Sequence, residues 1–308
     1  MDIQKAVLKL VLPDKTVYSP EGIIGFKCVK ERYTPYSTLN ITAVCADEIT
    51  ADVSEVRLEI GGKAVHSGIM DSMSVTRSRG IIRMQITSRG FSSMLSQNEL
   101  EPGLLTQLSL NSLMTEKMSV PNVTWQDSDD KVRYIYVKDH DSQWSAIVSL
   151  GLTLNEQYPY IASTNEIRLS AVGTAFTAVP ENIFEEGTAG DYSKIVSHYH
   201  MKDIQGNYTH NYTDGFAEAR SIIRHKYINY DQQFIALDDY GLQYKLNFSR
   251  RGCKIRFMSY LGWCGEELRD RVRFPDGTAA EVSLIEICGN AKKGIYTRVS
   301  CYYDGYCN

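Results

Sequence analysis

Apolar residues alternate at period two through both ends of this 308-residue chain and switch to helical spacing chiefly between them. A strand turns successive side chains to opposite faces, so this alternation commits each end to half-buried sheet. Residues 6–12, 23–29 and 39–45 are such runs, separated by turn chemistry at Pro13-Asp14, Pro20-Glu21-Gly22 and Pro35-Tyr36-Ser37. Val56, Leu58 and Ile60 alternate into Gly61-Gly62, and a two-glycine loop between alternating runs predicts a tight hairpin that needs positive φ. After a turn at Ser78-Arg79-Gly80, Ile82, Met84 and Ile86 return on one face. The block 1–90 therefore predicts about six antiparallel strands in a sandwich or barrel.

Helical spacing begins after Gly90. Leu110, Leu113, Met114 and Lys117 follow Ser109, which predicts an N-cap there. Val132, Tyr134 and Tyr136 predict a strand. Asp141 or Ser142 then caps a helix carrying Trp144, Ile147, Val148, Gly151 and Leu152, and a hairpin follows at Ser163-Thr164-Asn165. The segment 91–170 reads as a small α+β unit with Trp144 as its core anchor. From 171 to 308 strands dominate again, with turns at Gly206-Asn207, Pro275-Asp276-Gly277 and Gly289-Asn290. Residues 232–248 fit both periods. The expectation is a helix beginning near Asp231 and giving way to strand before Arg250. The fold class is mainly β with an α+β insert: β-barrel-like domains at 1–90 and 171–308 flank a helix-containing domain at 91–170.

Composition narrows the function classes. Net charge is −4, so no overall basic field advertises specific nucleic-acid binding. Basic residues cluster at Ser249-Arg250-Arg251 and at Arg269-Asp270-Arg271-Val272-Arg273; in the second run Asp270, Glu266 and Glu267 interleave, the pattern of a solvated, salt-bridged face. No stretch reaches the ~20 apolar residues of a membrane-spanning helix. The amino terminus is acidic at Asp2, is interrupted by Lys9 and lacks a small-residue cleavage site, so it reads as a first strand of a cytosolic product. The seven cysteines (28, 45, 253, 264, 288, 301 and 307) contain no Cys-x-x-Cys pair and read mostly as small buried hydrophobes. Cys301 and Cys307 are spaced to close a hairpin disulfide, which a cytosolic setting disfavours. Against 9 Phe and 3 Trp, the 20 Tyr suit half-buried sheet faces and subunit interfaces.

Catalytic signatures are sparse. No Gly-x-Ser-x-Gly elbow and no phosphate-binding glycine loop occurs. The carboxylate runs Asp127 to Asp130, Glu185-Glu186 and Asp238-Asp239 fall in turn or helix-start contexts. One alternative stands: His198 and His200 share a strand face, and His210 lies across the Gly206-Asn207 turn. With Asp203 or Asp214 they define a candidate zinc or iron site of a metal-dependent enzyme. A further alternative is a carbohydrate- or surface-binding β-protein whose exposed tyrosines stack on its ligand.

The order of these elements also carries a resemblance. Val65 to Asp71, Met84 to Leu95, the Tyr134 to Leu169 unit, Ala219 to Arg224 and Phe248 to Arg251 fall in an order that resembles baseplate hub proteins of contractile phage tails and related injection systems, the late control protein D type. Leu268 to Val272 approximates that family's Gly-Asp-x-Val-like step. The resemblance implies a non-enzymatic homotrimer. Its two barrel domains per chain would form a ring that adapts a sixfold tail tube to a threefold spike. It implies tail tube and spike proteins as partners, synthesis in the bacterial cytoplasm and assembly into the virion tail. It implies no catalytic, cofactor-binding or metal residues, no cofactor and no small-molecule substrate.

Overall fold

The computed structural model describes residues 5–47, 51–171, 176–177, 182–230 and 239–302. The first block folds as β1 (Ala6–Val11), β2 (Val17–Tyr18), β3 (Gly22–Glu31), β4 (Thr38–Cys45), β5 (Glu55–Ile60), β6 (Lys63–Ser78) and β7 (Ile81–Gly90). Every pairing among them is antiparallel. Gly61 and Gly62 take φ of 57° and 80°, so the β5–β6 turn uses the conformation its sequence requires. Alternation sends Leu8, Leu10, Leu39, Ile41, Leu58, Ile60, Met84 and Ile86 into one buried cluster. β1 returns beside β3, which curls these strands around that cluster in a barrel-like way.

The middle segment builds its own core. It contains α1 (Met94–Gln97), β8 (Gly103–Leu108), α2 (Leu110–Ser112), β9 (Thr124–Trp125), β10 (Val132–Val137), α3 (Gln143–Asn155), β11 (Tyr160–Ala162) and β12 (Glu166–Arg168). Ser109 caps α2 in a reciprocal box with Ser112, and Ser142, rather than Asp141, caps α3 by accepting from the Ser145 amide. Trp144 is buried there and its indole N–H donates to the Tyr158 hydroxyl at 3.2 Å.

The last block contributes β13 (Phe176–Thr177), β14 (Ile183–Ala189), β15 (His198–Lys202), β16 (Tyr208–Thr213), α4 (Gly215–Glu218), β17 (His225–Ile228), α5 (Asp239–Arg250), β18 (Ile255–Leu261), β19 (Arg271–Arg273), β20 (Ala279–Glu281), β21 (Leu284–Asn290) and β22 (Gly294–Tyr302). Here α5 corrects one expectation, because it stays helical through Arg250 instead of giving way to strand. The reason is packing: Tyr244 and Phe248, four residues apart on one helix face, both meet Tyr158. The expected start near Asp231 lies outside the described residues, as do Asp238 and the Cys307 half of the proposed disulfide.

The two strand blocks are not separate sheets. β3 pairs with β21 over seven residues, and this joins them into eleven strands in the order β14-β18-β22-β21-β3-β4-β7-β6-β5-β1-β2. The apolar face is continuous across the junction: Ile285, Ile287 and Val299 share a cluster with Phe26 and Cys28. β15, β16 and β17 stand apart as a three-stranded satellite sheet over a small core of Ile195, Ala217 and Cys253.

Candidate functional site

A sheet buried on one face leaves the other to act. Register places Ser72, Thr87, Asn40, Lys27, Cys288, Tyr296 and Leu261 side by side across seven strands, and none of them is buried. At the usual strand spacing this row is roughly 29 Å long. Two hollows lie along it. One, of about 500 Å³, is lined by Lys27, Asn40, Thr42, Ser74, Gln85 and Thr87. The other, of about 550 Å³, is lined by Lys27, Glu185, Ser259, Glu286, Tyr296 and Arg298. Its charges oppose one another. Lys27 contacts Glu286, which raises the lysine pKa, and Arg298 lies 3.8 Å from Glu185. These pairs offset most of the charge, Lys293 adds one further cation, and Phe184 and Leu261 make part of the wall apolar.

Behind this face, the three parts of the chain are clamped together. The buried Lys30 ammonium donates to the Ser163 carbonyl at 2.6 Å and meets the Glu267 carboxylate at 3.2 Å, so β3, the β11–β12 turn and the last block share one cation. Burial pushes the Glu267 carboxyl pKa up, against the pull of Lys30. A second joint is aromatic. Tyr33 lies 5.1 Å from Tyr158, 5.4 Å edge-on from Phe248 and 6.5 Å from Tyr302, while Tyr158 stacks on Tyr244 at 5.6 Å. Arg251 sits 3.5 Å over the Phe248 ring. Part of the tyrosine excess is thus spent inside the chain. Composition alone did not distinguish this use from an interface.

The histidines of the metal alternative are only partly brought together. His198 and His200 do share a face of β15, but His210 is in register with Met201 and so belongs to the opposite face. The third imidazole on their face is His225, which the parallel β15–β17 pairing sets opposite His198. No sequence spacing signals that neighbour, because a parallel partner is reached only after a crossover. Asp214 is taken up elsewhere: it is buried, caps α4 and binds the Arg250 guanidinium. Asp203 accepts from the Asn207 amide and the Thr209 hydroxyl, and these bonds lower its pKa while holding the β15–β16 turn. Among the described residues no group of three His, Cys, Asp or Glu side chains is arranged to hold a metal ion.

The basic runs do form ion pairs, but Arg250 and Arg269 make them largely out of solvent instead of on a solvated face. Arg269 binds Glu281 and Gln157, and Arg250 binds Asp214. Seven of the twelve strongly exposed large apolar side chains among the described residues, including Phe184, Ile204, Ile223 and Tyr227, fall between 184 and 230. The satellite region and the sheet-edge strand β14 thus hold more than half of these side chains. No described helix is long and apolar enough to cross a membrane.

No family model and no curated protein matches the chain. Solved structures do match it end to end. The 43 kDa tail protein of prophage MuSo2 from Shewanella oneidensis superposes with a TM-score of 0.70 at 13% identity, covering 97% of this chain and 98% of that one. A tail protein from Neisseria meningitidis MC58 gives 0.69 at 13% identity, with 98% and 97% covered. An Escherichia coli component of the type VI secretion system, described as structurally similar to bacteriophage T4 tail proteins, gives 0.56 at 8% identity, with 95% and 75% covered. The chain shares the fold of phage tail proteins and of a type VI secretion component.

Proposed function

We propose that the chain is a non-enzymatic structural hub of a phage or phage-like tail baseplate, built into a virion tail or a related injection particle. The observation that carries this reading is the end-to-end fold match combined with one sheet that runs through both strand blocks. In this reading 1–90 and 171–308 are two barrel-like domains around the 91–170 insert. Three copies close a ring with six similar positions, matching a sixfold tail tube on one side and a threefold spike on the other. The row from Ser72 to Leu261, whose charges are largely paired, faces the channel, where weak net charge limits trapping of what passes. The edges left unpaired in the described sheet, β14 and β2, and the apolar surface between 184 and 230 face other subunits. Lys30, the Tyr33 cluster and the β3–β21 seam hold each subunit to one shape under load.

The test is reconstitution. The chain is co-expressed with the tube and spike proteins encoded beside it, and the products are examined by native mass spectrometry and cryo-electron microscopy. The expected particle holds three copies of the 34.8 kDa chain between tube and spike. Tails that are complete and infective without the chain would sink the proposal.

A further inference from the structure

The face of the satellite sheet that carries His198, His200 and His225 has a proton arrangement readable from its contacts. The Asn211 side-chain oxygen, which only accepts, faces His200 Nδ1, so that nitrogen carries a hydrogen. His200 Nε2 lies 2.8 Å from His225 Nδ1. Their ring centroids are 5.1 Å apart with planes 9° from parallel. That separation is the contact plus one ring radius on each side, so the imidazoles meet edge to edge in one plane. A single hydrogen lies between them, donated by His225 to the bare nitrogen of neutral His200.

Adding one proton leaves this bond intact. His200 becomes the donor, and His225 moves its hydrogen to its outward Nε2. A second proton puts N–H against N–H, and the bond cannot exist. The surroundings offer little compensation. His198 stacks on His225 at 4.4 Å. Its Nδ1 faces the Ser197 hydroxyl, which donates to the Arg224 carbonyl and accepts from the Arg224 amide, so His198 Nδ1 is also a donor. Its Nε2 is 3.3 Å from Glu218, the one carboxylate facing the group among the described residues. From β16 comes the neutral Asn211, and from β17 the neutral Tyr227 ring, 4.7 Å from His200. Lys202 on the same face lies over the Tyr208 ring and adds positive charge. The Arg224 guanidinium is held by the Tyr192 and Ile195 carbonyls. Three imidazolium charges against one carboxylate would repel across the β15–β17 ladder.

We infer that His200 and His225 form a latch that keeps β17 on the satellite sheet while they share one proton and releases it when each holds its own. β17 has four residues and pairs with β15 alone among the described strands; beside that ladder Tyr208 meets Tyr227 edge-on and Ser197 binds Arg224, so the imidazole pair is one of a few side-chain contacts that hold it. A second proton on the pair would then free the strand carrying the exposed Tyr227. The inference concerns the isolated chain and is independent of the ring.

The test uses the full chain labelled with 15N at histidine. At pH 7.5 a nitrogen–nitrogen coupling across the hydrogen bond is expected between His200 and His225, and it disappears by pH 5. Amide exchange in 225–228, corrected for intrinsic rate, is expected to lose protection about ten-fold or more over that range. His225→Phe keeps a ring against His198 and removes the nitrogen, so it should abolish the pH response. Should that variant not fold by circular dichroism, His200→Gln replaces it with the same expectation. Absence of the coupling at pH 7.5, pH-independent protection, or an unchanged response in the folded variant would each overturn the latch.

Discussion

Gly289 and Phe26 are in register at the seam between the two strand blocks, and their fit can be measured. A Cβ on Gly289 would stand 2.0, 2.5 and 2.7 Å from three Phe26 ring atoms, all under the closest approach that real side chains show. Phe26 is 6% exposed, so its ring has to move within a packed core to make room. Overpacking of this kind costs about 1–3 kcal/mol. Because three ring atoms are hit at once, we expect Gly289→Ala to cost about 2.5 kcal/mol. For a chain of this length the usual unfolding entropy makes that a fall of about 4 °C in Tm. Phe26→Leu alone removes the clashing ring edge and should cost about 1.5 kcal/mol through lost packing. If the clash is the cause, the double variant recovers about 2 kcal/mol of the summed losses. The assay is urea denaturation followed by circular dichroism and by fluorescence, with Trp144 in the middle core and Trp263 in the last block as reporters. Both signals should move together, because one sheet spans both ends. Strictly additive losses, or a Gly289→Ala variant within about 0.5 kcal/mol of the parent, would refute the reasoning.

Lys30→Met leaves the Glu267 carboxylate without its buried cation and should cost about 3 kcal/mol at pH 8 by urea titration. Burial already raises the Glu267 pKa, so the folded variant takes up the proton more readily than the unfolded chain, and the loss should shrink toward pH 5. His66 is fully buried between the Ser37 and Ser88 hydroxyls and burial lowers its pKa to about 3. The unfolded chain protonates it below about pH 6.5 while the folded one does not. About 2 kcal/mol of stability should therefore disappear between pH 6.5 and 5, and His66→Gln should flatten that slope. Asp214→Asn strips Arg250 of its buried anion, and limited proteolysis should then cut first in the satellite around 215–228, whose own core is small.

What the sequence made legible was local. Period-two runs placed β1 and β3 to β7 but not the two-residue β2, Gly61-Gly62 placed a hairpin, and Ser109 fixed the start of a helix, because each depends on neighbours a few residues away. Three things were not legible. α5 was ambiguous because Phe248 fits both the helical and the strand period, and the aromatic partners that decide it, Tyr33 and Tyr158, are distant in sequence. His225 escaped notice because parallel pairing brings it beside His198 from 27 residues away, the same separation as the Ser197–Arg224 contact beneath it. The β3–β21 seam was invisible for the same reason on a larger scale. Strand edges carry no sequence label for their partner.

That seam also explains why two blocks of similar grammar behave as one body. Cys28 and Ile287 are in register although roughly 260 residues lie between them. Closure entropy grows only with the logarithm of that length, about 0.6 kcal/mol per doubling, so distance alone is a weak obstacle. Against it stand a seven-residue ladder, the Phe26–Gly289 fit, the Lys30 clamp and a shared apolar cluster. β3 pairs with β4 on one edge and β21 on the other, so the row spanning the seam exists only when both ends are in place. In the hub proposed above each copy needs that surface whole, so loosening the seam should lower incorporation into tails before it unfolds either block.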